Sequence, residues 1–207
     1  MRPIGVRALA CAALLAAAAG CATFKPSVTV SPSLRDWPDL RVAVLPFDNQ
    51  STDLNAADVM RKLAAKEFGK RGYQALPLEE VDEKLSGLGI SEGGQLPSVK
   101  PEEIAKALGA DLLCYGDVED FTFQNLGFVI RKNVVLSVRL LSAASGEVLY
   151  QATGEGKDLK IYTKRDEAKA AFVEQLAAKL VQNLLKSPLK KEAEAAAWKT
   201  LDGLPRR

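Results

Sequence analysis

The chain is 207 residues long, with 28 Lys and Arg against 26 Asp and Glu, a formal net charge of +2, three cysteines and no histidine. Near-neutrality argues against a partner held by bulk charge, nucleic acid above all. The lack of histidine removes Ser-His-Asp and Cys-His nucleophile systems, His-ligated zinc and the commonest general base, and leaves carboxylates, lysine and serine–lysine pairs as routes to catalysis.

The chain opens on MRPIGVR, which carries Arg2 and Arg7 and no acid, followed by about a dozen apolar residues from Ala8 to Ala19. A basic start, a short apolar run and the small pair Ala19-Gly20 describe an export signal; a transmembrane helix needs roughly 20 apolar residues. Ala18-Ala19-Gly20-Cys21 resembles the bacterial lipobox, which implies diacylglyceryl transfer to the Cys21 thiol, cleavage before it, and a mature chain beginning at Cys21. Each buried methylene of an acyl chain contributes ~0.8 kcal/mol, so three chains would hold the protein at a bilayer without measurable release. Ala22 stands where an Asp would resemble an inner-membrane retention signal, which points to the outer membrane and a body facing the periplasm. The covalent lipid on Cys21 is the only non-protein group expected: no cofactor, metal or catalytic set is assigned.

Removing residues 1–20 leaves 187 of the 207, and the loss of Arg2 and Arg7 brings the formal charge from +2 to 0. Residues 21–38, rich in Ser, Pro and Thr, read as a lipidated N-terminus and flexible tether. Residues 39–187 then form one folded domain, and 188–207 a tail that could end in an exposed helix. With Cys11 discarded and Cys21 acylated, Cys114 remains, inside the apolar run DLLCYGDV, as a buried small hydrophobe.

Within the domain, Arg41 to Phe47 (RVAVLPF) predicts a buried strand that stops at the turn-forming DNQST. Val59, Met60, Leu63 and Phe68 fall at helical spacing over 56–70, and GKRGY closes that helix. Tyr73 to Leu76 is a short second strand. LEEVDEKLSGLG is a short helix, SEGGQLPSV a flexible loop, and KPEEIAKALGAD a helix with Pro101 near its start and Gly109 at its stop. Two long strands follow, from Asp111 and from Val129, joined through NLGF, and EVLYQATGEG makes a third. On the second, Val134, Leu136, Val138 and Leu140 point one way and Val135, Ser137, Arg139 and Leu141 the other. Phe172, Leu176, Leu180 and Leu184 predict a long helix over 166–186, broken by Pro188. The fold class is therefore α/β with α+β character: a mixed sheet of about five strands, parallel early and an antiparallel meander late, with helices packed on it.

Candidate chemistry is thin. Asp48, Asn49, Ser51, Thr52 and Asp53 lie between strand and helix, where α/β sheets place ligands, but they equally suit turning and capping. GLGISEGG lacks the lysine and hydroxyl of a phosphate loop. Asp117, Glu119 and Asp120 offer two carboxylates on one strand face and one on the other, a possible acid pair set in a solvated face. Lys62, Lys66 and Lys70 form an i, i+4 row typical of a solvated helix, with lipid headgroups as the sharper alternative. Phe121, Phe123, Leu126 and Phe128 cluster at a hairpin tip; packed inward they are core, and exposed they mark a partner contact.

LPF-DNQST after the first strand, GYQALP, VDEKL, KPEEIAKALGAD and LLSAASGEVLY, in that order over about Arg41 to Tyr150, resemble a family of bacterial outer-membrane lipoproteins of unknown function. That family is similar to the α/β domains of the curli-secretion lipoprotein CsgG, the TolB amino-terminal domain and the lipoprotein activators of cell-wall synthases. Phe47 stands where a second proline is common and Tyr150 where tryptophan is common. The resemblance implies no catalytic residues. It implies a non-enzymatic, lipid-anchored binding or assembly protein of the cell envelope whose partners are other envelope lipoproteins or an assembly complex, with a homo-oligomer also compatible. The stretch 121–128 is too short to supply pore strands of ~9–11 residues each. The alternative is a ligand-binding or hydrolytic domain acting on cell-wall material through Asp48, Asp53 or the Asp117/Glu119 face. A cleft with perturbed carboxylates beside Asp48 would favour that alternative, and an exposed apolar patch over 121–128 the binding protein.

Overall fold

A computed structural model describes residues 27–35, 40–126, 128–162, 166–167, 169–170, 173 and 188–207. The strands are β1 (Val28–Val30), β2 (Arg41–Val44), β3 (Asp48–Asn49), β4 (Gln74–Ala75), β5 (Leu112–Asn125), β6 (Val129–Ser142) and β7 (Val148–Ile161). The helices are α1 (Ala56–Lys70), α2 (Leu78–Ser86), α3 (Pro101–Leu108) and α4 (Lys190–Leu201). The seven strands form one sheet in the order β1-β7-β6-β5-β2-β4, with β3 beside β5. β2 runs parallel to β4 and β5, and β5, β6 and β7 run antiparallel. The sheet is thus mixed as expected, but larger than five strands.

The boundaries are set by local chemistry. Pro101 occupies the first turn of α3, where its missing N–H leaves no donor unpaired, and Gly109 closes the helix in the left-handed region at φ 62°. β5, β6 and β7 each run for 14 residues, and Val134, Leu136, Val138 and Leu140 of β6 keep one face of the meander apolar against the larger core.

Two cores flank the sheet. On one face Met60, Leu63 and Phe68 of α1 and Ala193, Ala196, Ala197 and Leu201 of α4 pack on Val44, Cys114, Leu136, Val138 and Tyr150. On the other, Val81 and Leu85 of α2 and Ile104 and Leu108 of α3 cover Ala43, Leu45 and Leu113 of the parallel half. Cys114 is a free, buried thiol whose pKa burial pushes far up, so it is the inert hydrophobe expected.

Three expectations are corrected. The tether does not extend through residue 38: Val28–Val30 pair with β7, and Leu34 in the following turn is fully buried, because alternate apolar residues in a Ser-Pro-rich stretch still find a sheet edge. The tail is not an exposed helix. Gly154 and Gly156 leave no side chain on β7, so the alanine-rich α4 seats directly on the strand, tied by Tyr150 Oη donating to the Thr200 carbonyl at 2.6 Å. The 91–98 segment is not a loose loop either. Glu92 and Gln95 form a reciprocal capping box on a short 3-10 helix, Gly93–Ser98, and Gly93 packs against the Phe47–Asp48 backbone. The long helix expected over 166–186, including Phe172, Leu176, Leu180 and Leu184, lies largely outside the described residues; Asp166, Glu167, Lys169, Ala170 and Val173 are helical.

Candidate functional site

α2, α3 and the 93–98 turn roof only the parallel half of their face. The antiparallel half of the same face shows polar side chains from β5, β6 and β7. Where roof and open strands meet lies a cleft of about 620 Å³, bounded by Asp48, Pro97, Asp117, Glu119, Arg139 and Gln151 among others.

The acids reach it through a bulge. Asp117 pairs with Ser137 and Asp120 with Val135, so Glu119 is an extra residue in β5. Strict alternation would send Asp120 to the opposite face from Asp117 and Glu119. The bulge instead places all three on the open face, which corrects the expected split. Each has a partner: Gln50 Nε2 donates to Asp117 Oδ2 at 2.7 Å, Ser137 donates to Glu119, and Asp120 accepts from Thr122 and, at 2.8 Å, from Asn133 Nδ2. Asp117 keeps one oxygen, Oδ1, buried without a hydrogen bond. Burial raises the Asp117 carboxyl above the usual carboxylate range, and the charges of Asp48 and Glu119 add to this, while Gln50 and Arg139 act against it.

Arg139 gives the cleft its positive charge and lies 6.0 Å above the Tyr115 ring. Neither was singled out as a site residue from sequence. Ser137 and Arg139 share one face in the β6 alternation, and Tyr115 stands opposite Arg139 in the β5–β6 ladder, but Asp48 and Gln50 come near them only through the β3–β5 pairing, which sequence spacing does not reveal. Packing against the Phe47 ring requires glycine at 116, where a Cβ would collide with it.

The remaining candidates separate cleanly. Asn49, Ser51 and Asp53 form a turn: the Ser51 N–H and hydroxyl donate to Asn49 Oδ1 at 3.0 and 2.7 Å, and Asn55 N donates to Asp53 Oδ1 at 3.1 Å. They shape the turn that leads into α1, which has no side-chain cap hydrogen bond, and Asp48 alone of that group lines the cleft. Lys62 and Lys66 are exposed, and Lys70 pairs with Glu67 at 2.5 Å. Phe121 is buried and Phe123 packs against the larger core, so these two are not surface contacts. Their neighbours Leu126 and Phe128 are exposed at the hairpin end. Cys21 lies outside the described residues. Among the described residues no cluster of three or more Cys, Asp and Glu could hold a metal ion, and no helix is long and apolar enough to cross a membrane.

The crystal structure of lipoprotein GNA1162 from Neisseria meningitidis aligns with a TM-score of 0.55 at 22% identity, covering 68% of this chain and 99% of that one. The PelC dodecamer from Paraburkholderia phytofirmans aligns at 0.54 and 14% identity, covering 89% of this chain and 100% of PelC. Both likenesses are of fold. A protein of Neisseria meningitidis serogroup B named "Putative lipoprotein NMB1124/NMB1162" is 25% identical over 123 residues, 58% of this chain. That match spans about half of the relative's own length, at 56%. Neither that name nor the matching family's description carries an enzymatic activity. The family described as "Putative lipoprotein GNA1162-like" matches residues 35–202, four-fifths of the sequence, and the chain belongs to it.

Proposed function

We propose that this protein is a non-enzymatic binding lipoprotein of the bacterial envelope, held through a lipid on Cys21 at the outer membrane and facing the periplasm. The open antiparallel half-face and its cleft take up another envelope protein. The observation that carries the reading is the character of that half-face. It is polar, with acids and one arginine already fixed by Ser137, Thr122, Asn133 and Tyr115, so a partner meets a preorganised surface. PelC assembles as a dodecamer on this fold, so a second copy of this chain is one partner the test must recognise.

Two measurements test it. Cys21→Ser should release most of the protein from the envelope fraction to the soluble periplasm, and retention as tight as the parent's would remove the anchor. Crosslinking in intact cells should give adducts with an envelope protein or with a second copy. Arg139→Glu, on the exposed face, should lower their yield at least threefold; an unchanged yield removes the half-face from the reading.

One observation favours a second reading. The buried, unpaired Oδ1 of Asp117 sits with its raised carboxyl in a cleft beside Asp48. A protonated Asp117 could serve as a general acid on cell-wall saccharides bound in the cleft. Turnover of purified cell-wall fragments that Asp117→Asn abolishes would establish this reading; its absence at matched protein concentration would reject the hydrolytic form.

A further inference from the structure

The end of the meander away from the β6–β7 turn is apolar and exposed. Leu126 is 66% exposed, Phe128 48%, Leu159 61% and Ile161 71%. These residues come from two hairpin arms that are fastened together there. Leu126 N donates to the Val129 carbonyl at 2.8 Å, Tyr162 N donates to the Phe128 carbonyl at 2.7 Å, and Val129 pairs with Ile161. The patch is therefore a shaped end of the sheet. A group of large exposed aliphatic and aromatic side chains at one place is unusual for a surface that meets only water.

Bases accompany it. Segments 124–132 and 156–162 contain Arg131, Lys132, Lys157 and Lys160 against the single acid Asp158. Lys132 turns to Glu192, 3.9 Å away, and Lys157 to Glu155 at 3.0 Å. Lys160, half exposed, pairs with Asp158 at 3.9 Å, and Arg131, exposed and opposite Leu159 in the ladder, is the base nearest the apolar residues. Exposed apolar side chains with Arg131 and the half-exposed Lys160 beside them match the interface of an anionic bilayer, where the apolar groups enter and the bases stay at headgroup level.

Chain direction gives the same orientation. β1 is antiparallel to β7, with Val28 opposite Ala152 and Val30 opposite Tyr150. Followed backward from Val28, the chain leaves the sheet toward the end that carries Ile161. Ile161 lies nine residues beyond Ala152, roughly 30 Å at the strand rise. Cys21 precedes Ser27 by six residues, at most roughly 20 Å of extended chain. Even fully extended, those six residues end short of the level of Ile161, so a lipid on Cys21 would hold the apolar end of the sheet against the bilayer and keep the domain from hanging far from it.

We propose that the Leu126–Phe128–Leu159–Ile161 end is a second membrane contact that dips into the headgroup region of an anionic bilayer and fixes the orientation of the domain. The orientation argument rests on the Cys21 reading; the contact itself does not, and the experiment separates them. Residues 21–207 contain every described element, so a 21–207 chain carrying Cys21→Ser keeps the fold and lacks the lipid. It should co-sediment with vesicles of phosphatidylethanolamine and phosphatidylglycerol, and at least fivefold less with phosphatidylcholine alone. Leu126→Ser/Phe128→Ser should lower the bound fraction at least fivefold with an unchanged thermal midpoint. Independently, the indole introduced by Leu126→Trp should gain a blue-shifted emission on adding the anionic vesicles, quenched by brominated lipid. No binding of the unlipidated parent, binding of the double variant equal to the parent's, or an emission of the Leu126→Trp variant unmoved by vesicles would each overturn the proposal. An unacylated Cys21 in cells, with vesicle binding intact, would remove the anchor and leave this contact standing.

Discussion

Gly156 of β7 lies directly beneath Glu192 in the first turn of α4, so close that a Cβ on Gly156 would overlap the Glu192 carbonyl oxygen. Two residues earlier, a Cβ on Gly154 would lie 2.5 Å from Thr200 N. This pair of contacts turns residues 188–207 from a trailing end into a wall of the larger core, with Ala193, Ala196, Ala197 and Leu201 fully enclosed.

Gly156→Ala should accordingly destabilise the domain by at least ~1–3 kcal/mol in urea unfolding, the range of an overpacked core, because the obstacle is backbone and cannot rotate away. Gly69→Ala is the contrast. It stands near the end of α1 with nothing within 4 Å of the added methyl, and should stabilise by up to ~1 kcal/mol.

The ion pair between Glu67 and Arg71, 2.6 Å with both side chains under a tenth exposed, joins α1 to α4, since Arg71 also donates to the Trp198 carbonyl at 3.3 Å. Arg71→Leu should be destabilising by ~1–3 kcal/mol, because it takes one of two bases from a buried carboxylate and leaves Lys70 alone to hold it. Burial alone would raise the Glu67 pKa, but hydrogen bonds and charge from Lys70 and Arg71 outweigh it and the net shift is downward. A depressed folded-state pKa gives stability that is present above the unfolded value of ~4.3 and lost as pH falls through the folded one. The parent should therefore lose stability below pH ~4.3, and Glu67→Gln should flatten that part of the profile.

Asp117 has the opposite sign. Its folded-state pKa is raised, first by burial and then by Asp48 and Glu119. Its contribution is present below the unfolded value of ~3.9 and lost as pH rises through the folded one. Asp117→Asn, which can keep a bond to Gln50, should raise the thermal midpoint at pH 7, with the difference closing below pH ~4. A lower midpoint at pH 7 would mean that the charged form is stabilised there.

The hairpin cluster read from sequence divides into two classes of residue. Phe121→Ala should cost ~3–5 kcal/mol as a core truncation, whereas Leu126→Ser should stay within ~0.5 kcal/mol. Equal effects on the denaturation midpoint would mean that Leu126 is packed as well.

These contrasts show where sequence periodicity suffices. α1 over 56–70, α3 from Pro101 to its Gly109 stop, and the inward face of β6 were legible, because each is written in local spacing and end signals. The bulge at Glu119 was not, since one inserted residue reverses the facing of everything after it and has no compositional mark. β1 was hidden because three residues in a Ser-Pro stretch gain their structure from β7 rather than from propensity. α4 was read as an exposed tail because its partners are glycines, whose role is the space they leave. The cleft combines Asp48, Tyr115, Asp117 and Arg139 across more than 90 residues of sequence; the carboxylates and the β6 alternation were visible, and their meeting was not.

The central claim is that the open half-face receives another envelope component. A photo-crosslinking residue at Gln151, exposed on that face at the rim of the cleft, tests it in living cells, with the same residue at Lys62 on the solvated side of α1 as the control. The account predicts a discrete adduct from position 151, with an envelope protein or with a second copy of this chain, and none from position 62. Adducts of equal yield from both positions, or none from 151 while the protein is present in the envelope fraction, would contradict it.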